Sequence, residues 1–566
     1  MSEAGGIVIT PANAMLADKE ADDPFPPRAG CSVTPLIEAA EMFPALERLA
    51  LWAQDSFWLA FRIFDPETAL HSPEAEAAGC RTWAELLAHI AERGVQVRIM
   101  LADFEPVMAD YLHAGSWRAL RRLGQLDAAR DGRIQAMAIE HVGEIGWMWR
   151  QALRLPLAGK TRKLVRSLIG REGALAERPG LWRNVKWEDG NPTDWRRSAP
   201  PRLWPATFHH KFALADGRAA IVGGIDVNDR RYDDSDHDQR ADRTWHDLSC
   251  RVEGPVLADI VAHYARLWNM ERERAVEIAG WWSDGAPEAI ALGTLDRLEA
   301  PDVEARPAGR STVQLLRTRS RRNSSPIAFG PQAHVRELQA AHRLLFGAAR
   351  ERIYIEAQFF RSQMAARWLV EALTVNAALE VVILVANTPE EIAFEGQGDN
   401  PAHRHGEYLQ ARALTRVLRA GGDRVGIFTL ARDARARGKE KEFGKDRGTA
   451  FGAGLIHIHS KLVIADDDAA LVSSANINGR SFEWDTELGI LWRDAAEVIG
   501  AFRGRLWAAL TQDALNEKAS LADWRKVALT NAQRDPEDRA GFVVPYQINR
   551  ARRFGKPAWF VPDDLV

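Results

Sequence analysis

Two short segments of the sequence carry residue types suited to acid–base chemistry at identical spacing. In each, a lysine follows a histidine by two residues, and an aspartate follows the lysine by five. The segments contain His209, Lys211 and Asp216, and His459, Lys461 and Asp466. Both are predicted to form β-strands that run into a turn, and side chains two apart in a strand share a face. Each histidine therefore projects beside its own lysine, whereas the intervening His210 points away.

A second similarity follows each segment. Seven residues after each aspartate, a short strand ends in two small residues, Gly223-Gly224 in the first copy and Ser473-Ser474 in the second. Two residues beyond each pair stand Asp226 and Asn476. One His-x-Lys-x4-Asp match is expected by chance about 0.07 times in a chain of this length. Two copies in the same context therefore indicate a duplicated functional element.

These residue types suit the cleavage of a phosphodiester through a covalent intermediate. One imidazole can attack phosphorus while a second protonates the leaving oxygen, because a pKa of about 6.5 lets one ring be neutral and another charged near pH 7. Two lysines facing the same pocket can offset charge on the non-bridging oxygens, and the amide of Asn476 can donate to them. This chemistry requires no metal ion, and we predict no metal and no other cofactor.

Several carboxylates accompany the two motifs. Asp247 and Glu487 each follow a motif within the same half of the chain, and a histidine nucleophile needs a partner for its second ring nitrogen. Asp216 and Asp466 stand where the strands turn, so we expect them to hold the loop through hydrogen bonds. Asp226 is an acceptor rather than an amide donor, and we assign it no role in phosphate binding.

The elements that must position these residues recur in two parts of the chain. Alternating helix-like and strand-like segments predict an α/β architecture. Each part has the order helix, strand, helix, strand before its motif. The ranges are 35–54, 56–64, 82–92 and 95–101 in the first part, and 333–350, 352–360, 364–375 and 379–385 in the second. The simplest account is two homologous α/β halves.

The spacing also predicts how the chain is divided. The first half carries 34 extra residues between its second strand and its motif, which indicates an insertion. We expect an N-terminal extension (1–34), a first half (35–300) with the insertion at 121–205, a linker (301–326), a second half (327–522) and a C-terminal tail (523–566). The insertion combines tryptophans with a basic segment, 154–171. This composition is typical of a solvated surface helix or of a lid or membrane-contacting element.

Composition narrows the class of protein. The chain has 566 residues, of which 46% are hydrophobic and 27% charged, and its net charge is −4. These values predict a folded protein with more than one core, without the basic surplus of a protein that coats nucleic acid. Three cysteines exclude a disulfide scaffold. No signal peptide or transmembrane helix is predicted. We expect a cytoplasmic or peripheral membrane protein, and export without a signal would fit the same pattern.

The paired motifs resemble the phospholipase D superfamily, whose members join two α/β halves around one active site. The resemblance covers about residues 35–515. Residues 223–226, 231–233, 245–247, 355–360 and 473–481 resemble the eukaryotic-type branch that cleaves phosphatidylcholine. The resemblance implies a pseudo-two-fold fold of two α/β/α sandwich halves. It also implies hydrolysis of glycerophospholipids to phosphatidic acid at a membrane surface, with water or a primary alcohol as acceptor and no nucleic-acid partner.

Residue roles follow from the same resemblance. His209 would be the nucleophile that forms a phosphohistidine, and His459 the general acid that then activates the acceptor. The two segments are nearly symmetric, so the residues alone leave this order open. The phosphoryl oxygens would be held by Lys211, Lys461 and Asn476. Asp247 would orient His209, and Glu487 would orient His459.

Other functions use related chemistry. A phosphatidyltransferase of the cardiolipin synthase type would use a glycerol or phosphatidylglycerol acceptor, but such enzymes often have N-terminal membrane helices, and none is predicted here. A nucleic-acid phosphodiesterase is disfavoured by the net charge of −4. A toxin delivered to rival cells would use the same chemistry in another setting, and a non-catalytic scaffold does not explain two intact motifs. The sequence indicates neither the head-group preference nor the oligomeric state.

Overall fold

The first half alternates helices and strands, and its buried strands are the apolar runs of the sequence. The computed structural model describes residues 7–10, 12–14, 23–197, 202–287, 289–304, 306–438, 440–443 and 447–566. Parts of the expected N-terminal extension, insertion and linker thus lie outside the described residues. The elements of the first half are β1 (Arg28–Ile37), α1 (Glu38–Trp52), β2 (Ser56–Phe61), α2 (Pro73–Ala77), α3 (Trp83–Glu92), β3 (Gln96–Ala102), α4 (Asp110–Asp127), β4 (Ile134–Ile139), α5 (Trp147–Ala152), α6 (Arg154–Leu168), β5 (Val185–Glu188), β6 (Asn191–Trp195), β7 (Lys211–Ala215), β8 (Ala219–Gly223), β9 (Trp245–His246), β10 (Leu248–Glu253) and α7 (Leu257–Ser283).

The second half repeats this alternation and continues into the C-terminal tail. Its elements are β11 (Ser311–Arg321), β12 (Gln332–Arg336), α8 (Glu337–Ala348), β13 (Arg352–Ala357), α9 (Gln363–Val375), β14 (Glu380–Val385), α10 (Glu390–Ala393), α11 (Pro401–Gly421), β15 (Val425–Arg435), α12 (Glu440–Phe443), β16 (Thr449–Ala450), β17 (Ala453–Leu455), β18 (His457–Ile458), β19 (Lys461–Ala465), β20 (Ala469–Ser473), β21 (Glu487–Arg493), α13 (Ala496–Thr511), α14 (Leu521–Gln533), β22 (Val543–Pro545) and α15 (Ile548–Phe554). A π-helical turn, Arg480–Trp484, precedes β21.

The strand order is the same in the two halves. In the first it is β1-β10-β8-β7-β2-β3-β4, with β2, β3 and β4 parallel and the other pairs antiparallel. In the second it is β11-β21-β20-β19-β13-β14-β15, with the corresponding three strands parallel. Strands β1 and β11 also pair, which joins the two sheets. The fold is therefore a duplicated α/β architecture, as the repeated sequence pattern predicts.

The period-two pattern of the strands divides the core into layers. On β2, Phe57 and Leu59 lie in a cluster beneath α1 and α3, whereas Trp58 faces the opposite side. The cluster that contains Trp58 also contains Tyr354 of β13 and Trp507 of α13. Because this cluster draws on both sheets, the two halves share one apolar interior in addition to the β1–β11 contact.

Two segments differ from their predicted conformation. The pattern over 35–54 predicts a helix, but Pro35 to Ile37 belong to β1, where they pair with β10, and α1 begins at Glu38. Glu38 has a φ of 62°, which separates the strand from the helix. The expected linker at 301–326 contains β11, whose Val313 and Leu315 are fully buried. Gln314 separates these two residues, and arginines alternate with Thr318 and Ser320 in the second part of β11, so the sequence pattern conceals the strand.

The insertion and the tail add structure outside the repeated strands. The insertion comprises α5, α6 and the β5–β6 hairpin, whose strands pair antiparallel. The tail contributes β22, which pairs with β15, and Phe542 packs edge-on against His237 of the first half at 5.0 Å. Across the described ranges, no helix combines the length and apolar character needed to cross a membrane.

Candidate active site

The residues just before each motif strand pair with residues of the opposite half. Just before β19, His457 and Ile458 form β18, which pairs in parallel with β9 of the first half. Just before β7, Phe208 forms a bridge with Thr486 of the second half. The backbone N–H of His209 donates to Thr486 O at 2.9 Å, and that of His459 donates to His246 O at 2.8 Å. Each motif histidine therefore lies beside the carboxylate-bearing segment of the opposite half.

The pairing of segments across the two halves determines which carboxylate binds which histidine. Glu487 Oε2 lies 2.8 Å from His209 Nδ1, and Asp247 Oδ2 lies 2.6 Å from His459 Nδ1. The expected pairing of Asp247 with His209 and of Glu487 with His459 is wrong. Both carboxylates are where a histidine partner is needed, but each acts on the motif of the other half, because β9 pairs with β18 and Thr486 pairs with Phe208.

These hydrogen bonds determine which ring nitrogen of each imidazole is available for chemistry. An ionised carboxylate only accepts, so Nδ1–H of each ring donates to it and Nε2 is left for chemistry. Ser474 Oγ donates to Glu487 Oε2 at 2.5 Å, which holds that carboxylate from a second side. At the equivalent position Gly224 has no side chain, and a Cβ there would lie 2.2 Å from Asp247 Oδ1. The duplicated pair of small residues thus shapes both carboxylate sites.

The two motif lysines are buried beside the histidines. Lys211 Nζ donates to His209 O at 3.1 Å and lies 3.8 Å from Asp226 Oδ2. Lys461 Nζ donates likewise to His459 O. Burial lowers the pKa of Lys211, and it lowers that of Lys461 to about 7, against the opposing effect of Asp247. Two ammonium groups held inside one site are arranged to receive an anion.

The electrostatic field of the site acts on both histidines. Burial lowers the pKa of His209 and of His459 well below the ordinary value, and the charges of Lys211 and Lys461 lower both further. Because each lysine affects both rings, the two motifs occupy one site. Burial raises the pKa of Glu487, and it raises that of Asp247 to about 6, while the charges of Lys211 and Lys461 oppose these shifts and favour the ionised carboxylates. An entering phosphate anion would offset the lysine charges and favour protonation of one imidazole.

Three arginines for which the sequence pattern predicts no role also lower the pKa values of the two histidines. Arg62 and Arg480 lower the pKa of His209, and Arg231 lowers that of His459. Arg231 stacks 3.6 Å over the ring of Trp245. Arg62 directly follows the buried strand β2, and a polar residue at the carboxyl end of a parallel strand is the signal that could have identified it.

A buried charged cluster lies directly beside the crossing. His246 Nδ1 is 2.5 Å from Glu38 Oε1, and His246 Nε2 is 2.9 Å from Glu356 Oε2. Although burial alone would lower the pKa of His246, the two carboxylates raise it well above the ordinary value. The imidazolium therefore joins a glutamate of each half, one residue before Asp247.

Of the remaining predicted residues, Asp216 and Asp466 lie away from His209 and His459. Asp216 accepts the backbone N–H groups of residues 54, 55 and 56 at 2.8–2.9 Å, and Asp466 accepts those of residues 350, 351 and 352 at 2.5–2.8 Å. Both stand about 16 Å from the motif lysines, at the far ends of five-residue strands. Each aspartate thus binds the backbone at the start of the neighbouring strand, β2 or β13.

Asn476 and His210 complete the set. Asn476 is buried after β20, and its Oδ1 has no hydrogen-bond partner in the described part of the chain. His210 points away from the site, with its Nε2 3.0 Å from His263 Nε2. Within the described ranges, no group of three His, Cys, Asp or Glu side chains is arranged to hold a metal ion.

The chain is similar to several known proteins. No protein-family model matches it. Human phospholipase D1 is 25% identical over 295 residues, which are 47% of this chain and 25% of the human protein. Two phospholipases of Arabidopsis thaliana also match. Phospholipase D zeta 1 is 28% identical over 214 residues (33% of this chain, 19% of its own), and phospholipase D delta is 22% identical over 442 residues (57% and 50%).

The chain spans half or less of the length of these curated relatives. Among solved structures, the phosphatidylserine synthase of Haemophilus influenzae Rd KW20 aligns with 86% of this chain and 88% of its own, with a TM-score of 0.48 and 14% identity. The sequence matches make this chain a distant homologue of phospholipases D.

Proposed function

We propose that the protein is a phospholipase D, which hydrolyses the distal phosphodiester of glycerophospholipids to phosphatidic acid and a free head group. The observation that carries this proposal is the pair of buried imidazoles, each bound at Nδ1 by a carboxylate of the opposite half, beside two buried lysines. The distant homology to enzymes named phospholipase D supports the lipid substrate. The halves 35–300 and 327–522 would act as one catalytic unit.

The reaction would proceed in two balanced steps. In the first, His209 Nε2 attacks phosphorus and a P–N bond forms as the P–O bond to the head group breaks, while His459 transfers its Nε2 proton to the leaving oxygen. In the second, His459 accepts a proton from water, the water oxygen attacks phosphorus, and the P–N bond breaks. A primary alcohol in place of water would give a phosphatidyl alcohol. Lys211, Lys461 and Asn476 would hold the phosphoryl oxygens.

The test is head-group release from mixed-lipid vesicles with and without a primary alcohol, for wild type and for His209→Ala and His459→Ala. Loss of turnover in both variants, with a phosphatidyl-alcohol product in wild type, is the expected result. His89→Ala provides a control histidine on α3. No turnover of any phospholipid by folded wild-type protein would overturn the proposal, and an oligonucleotide and a glycerol or phosphatidylglycerol acceptor would then be tried as the alternative substrates.

A further inference from the structure

Exposed apolar side chains concentrate around the insertion. In α5, Trp147 is 63% exposed and Met148 52%, and Leu155 at the start of α6 is 72% exposed. Trp149 of α5 and two residues of neighbouring segments, Met108 and Ile327, are also exposed and apolar. We name the whole set the insertion surface: Met108, Trp147, Met148, Trp149, Leu155 and Ile327. Several large apolar side chains exposed together mark an interaction site more often than a bare surface.

The insertion surface belongs to one structural unit. Trp149 Nε1 donates to Ile327 O at 2.9 Å, and its ring packs edge-on against Phe329 at 5.2 Å. Lys160 Nζ of α6 lies 3.2 Å from Met108 Sδ. Trp149 thus ties α5 to the segment after β11, and Lys160 ties α6 to the segment before α4. Because only Leu153 separates α5 from α6, the exposed side chains lie on adjoining segments.

The charged residues of the segment that contains α5 and α6 are all basic. Residues 145–171 include seven basic residues, Arg150, Arg154, Lys160, Arg162, Lys163, Arg166 and Arg171, and no acidic residue. Among the described carboxylates, none lies within ion-pair distance of Arg154, Arg162 or Lys163, all of which are exposed. The apolar patch is therefore flanked by cationic groups that are free to meet an anionic surface.

The insertion surface lies near the segment that carries Glu487. Trp149 packs against Phe329, and a Cβ on the next residue, Gly330, would lie 2.8 Å from the ring of Trp484, three residues before Glu487. On the other side, a cavity of about 360 Å³ is lined by Tyr111 at the start of α4 and by Arg62, whose charge acts on His209. The insertion surface is thus linked through Phe329 and Gly330 to the chain segment that leads to Glu487.

We propose that the insertion surface docks on an anionic phospholipid bilayer and presents lipid to the site. The proposal rests on the proposed function, which places the substrate in a membrane. Helices that lie at a bilayer interface bury tryptophan among the lipids. Their lysine and arginine side chains contact the anionic head groups. Exposed Leu155 and Met148 favour a bilayer over a nucleic acid, since they offer neither a stacking plane nor a charge.

The experiment is vesicle co-sedimentation of the full chain. Vesicles of phosphatidylcholine alone are compared with vesicles of equal parts phosphatidylcholine and phosphatidylglycerol. Arg162→Glu with Lys163→Glu should weaken binding to the anionic vesicles by at least about 25-fold, since each basic residue near such a surface contributes about fivefold and each new glutamate adds repulsion. Trp147→Ser with Leu155→Ser should weaken binding to both kinds of vesicle by at least about tenfold.

Matched controls carry the same changes elsewhere. Trp559→Ser removes another exposed tryptophan, and Arg412→Glu with Arg419→Glu reverses two exposed charges of α11. Both controls should sediment like wild type, and all variants should cleave a water-soluble phosphodiester at the wild-type rate. Since sedimentation needs no turnover, a protein that binds vesicles without cleaving lipid would contradict the proposed function and leave the docking surface supported.

Three results would overturn the docking proposal. The first is wild-type protein that sediments with neither vesicle. The second is equal weakening by the control substitutions. The third is a charge-reversal variant that keeps vesicle binding but loses binding to a single-stranded oligonucleotide, which would assign the basic face to nucleic acid.

Discussion

Replacing each partner carboxylate by its amide should show that the opposite half serves each histidine. Asp247→Asn and Glu487→Gln keep the size of the side chain but remove the charge that accepts Nδ1–H at 2.6 Å and 2.8 Å. A hydrogen bond to a charged group contributes about 1.5–3 kcal/mol, or about 10–150-fold in rate. An amide can also stabilise the wrong imidazole tautomer, which costs a serine protease about 10⁴-fold in kcat. We therefore expect losses of about 10- to 10⁴-fold.

The size of the loss does not identify the histidine that is affected, so the assay must separate the two steps. A phosphodiester with a p-nitrophenol leaving group needs no general acid in the first step. With this substrate, one histidine-to-alanine variant should give a single burst of p-nitrophenol and accumulate a phosphohistidine, whereas the other should give no burst. These two variants define the phenotypes of the acid and of the nucleophile, whichever histidine fills each role.

Each amide variant is then compared with the two alanine variants. Asp247→Asn should resemble His459→Ala, and Glu487→Gln should resemble His209→Ala, in burst amplitude and in the amount of trapped intermediate. The opposite assignment, Asp247→Asn behaving like His209→Ala, would refute the crossed pairing. Asp216→Asn is the control carboxylate, because it binds backbone amides far from the site and should leave the burst unchanged.

Three further outcomes follow from the contacts of the site. Gly224→Ala should lower kcat/KM about 10- to 100-fold, because the new Cβ would lie 2.2 Å from Asp247 Oδ1 and displace the carboxylate; circular dichroism would verify folding. In wild type, kcat/KM should fall as the pH rises through about 7, where Lys461 loses its proton, whereas in Lys461→Arg this decline should move above about pH 9. Glu356→Gln should lower the free energy of unfolding in urea by about 1.5–3 kcal/mol. Because the pKa of His246 is raised on folding, this loss should be greatest below about pH 6.5 and should shrink as the pH rises through the folded value.

The parts of the fold that could be predicted are those encoded by local pattern. Strands such as β3 and β14 are continuous apolar runs, and parallel strands buried on both faces require such runs. The motif spacing likewise identified the histidines and lysines, because a strand of period two places them on one face. In contrast, arginines alternate with Thr318 and Ser320 in the second part of β11, and the burial of this strand depends on pairing with β1 and β21, which lie far away in the sequence.

The carboxylate pairing could not be predicted for the same physical reason. Asp247 follows His209 by 38 residues and precedes His459 by 212, so proximity in the chain favours the wrong partner. The correct partner depends on the parallel pairing of β9 with β18, two strands of two residues each. Strands so short carry no pattern of their own, and they form only because the two halves already share a core.

The crossed contacts make the active site a property of the interface between the halves. Neither half holds a histidine together with the carboxylate that orients it, and the imidazolium of His246 adds a charged link from Glu38 in one half to Glu356 in the other. The β9–β18 pairing and the Phe208–Thr486 bridge both join residues of one half to residues of the other. A small shift of one half would therefore lengthen both histidine–carboxylate hydrogen bonds at once. Both steps of the proposed reaction would therefore depend on how the two halves pack together. This dependence gives a physical reason for the extensive apolar interior and the β1–β11 pairing, which hold that geometry in a chain whose cysteines are all free.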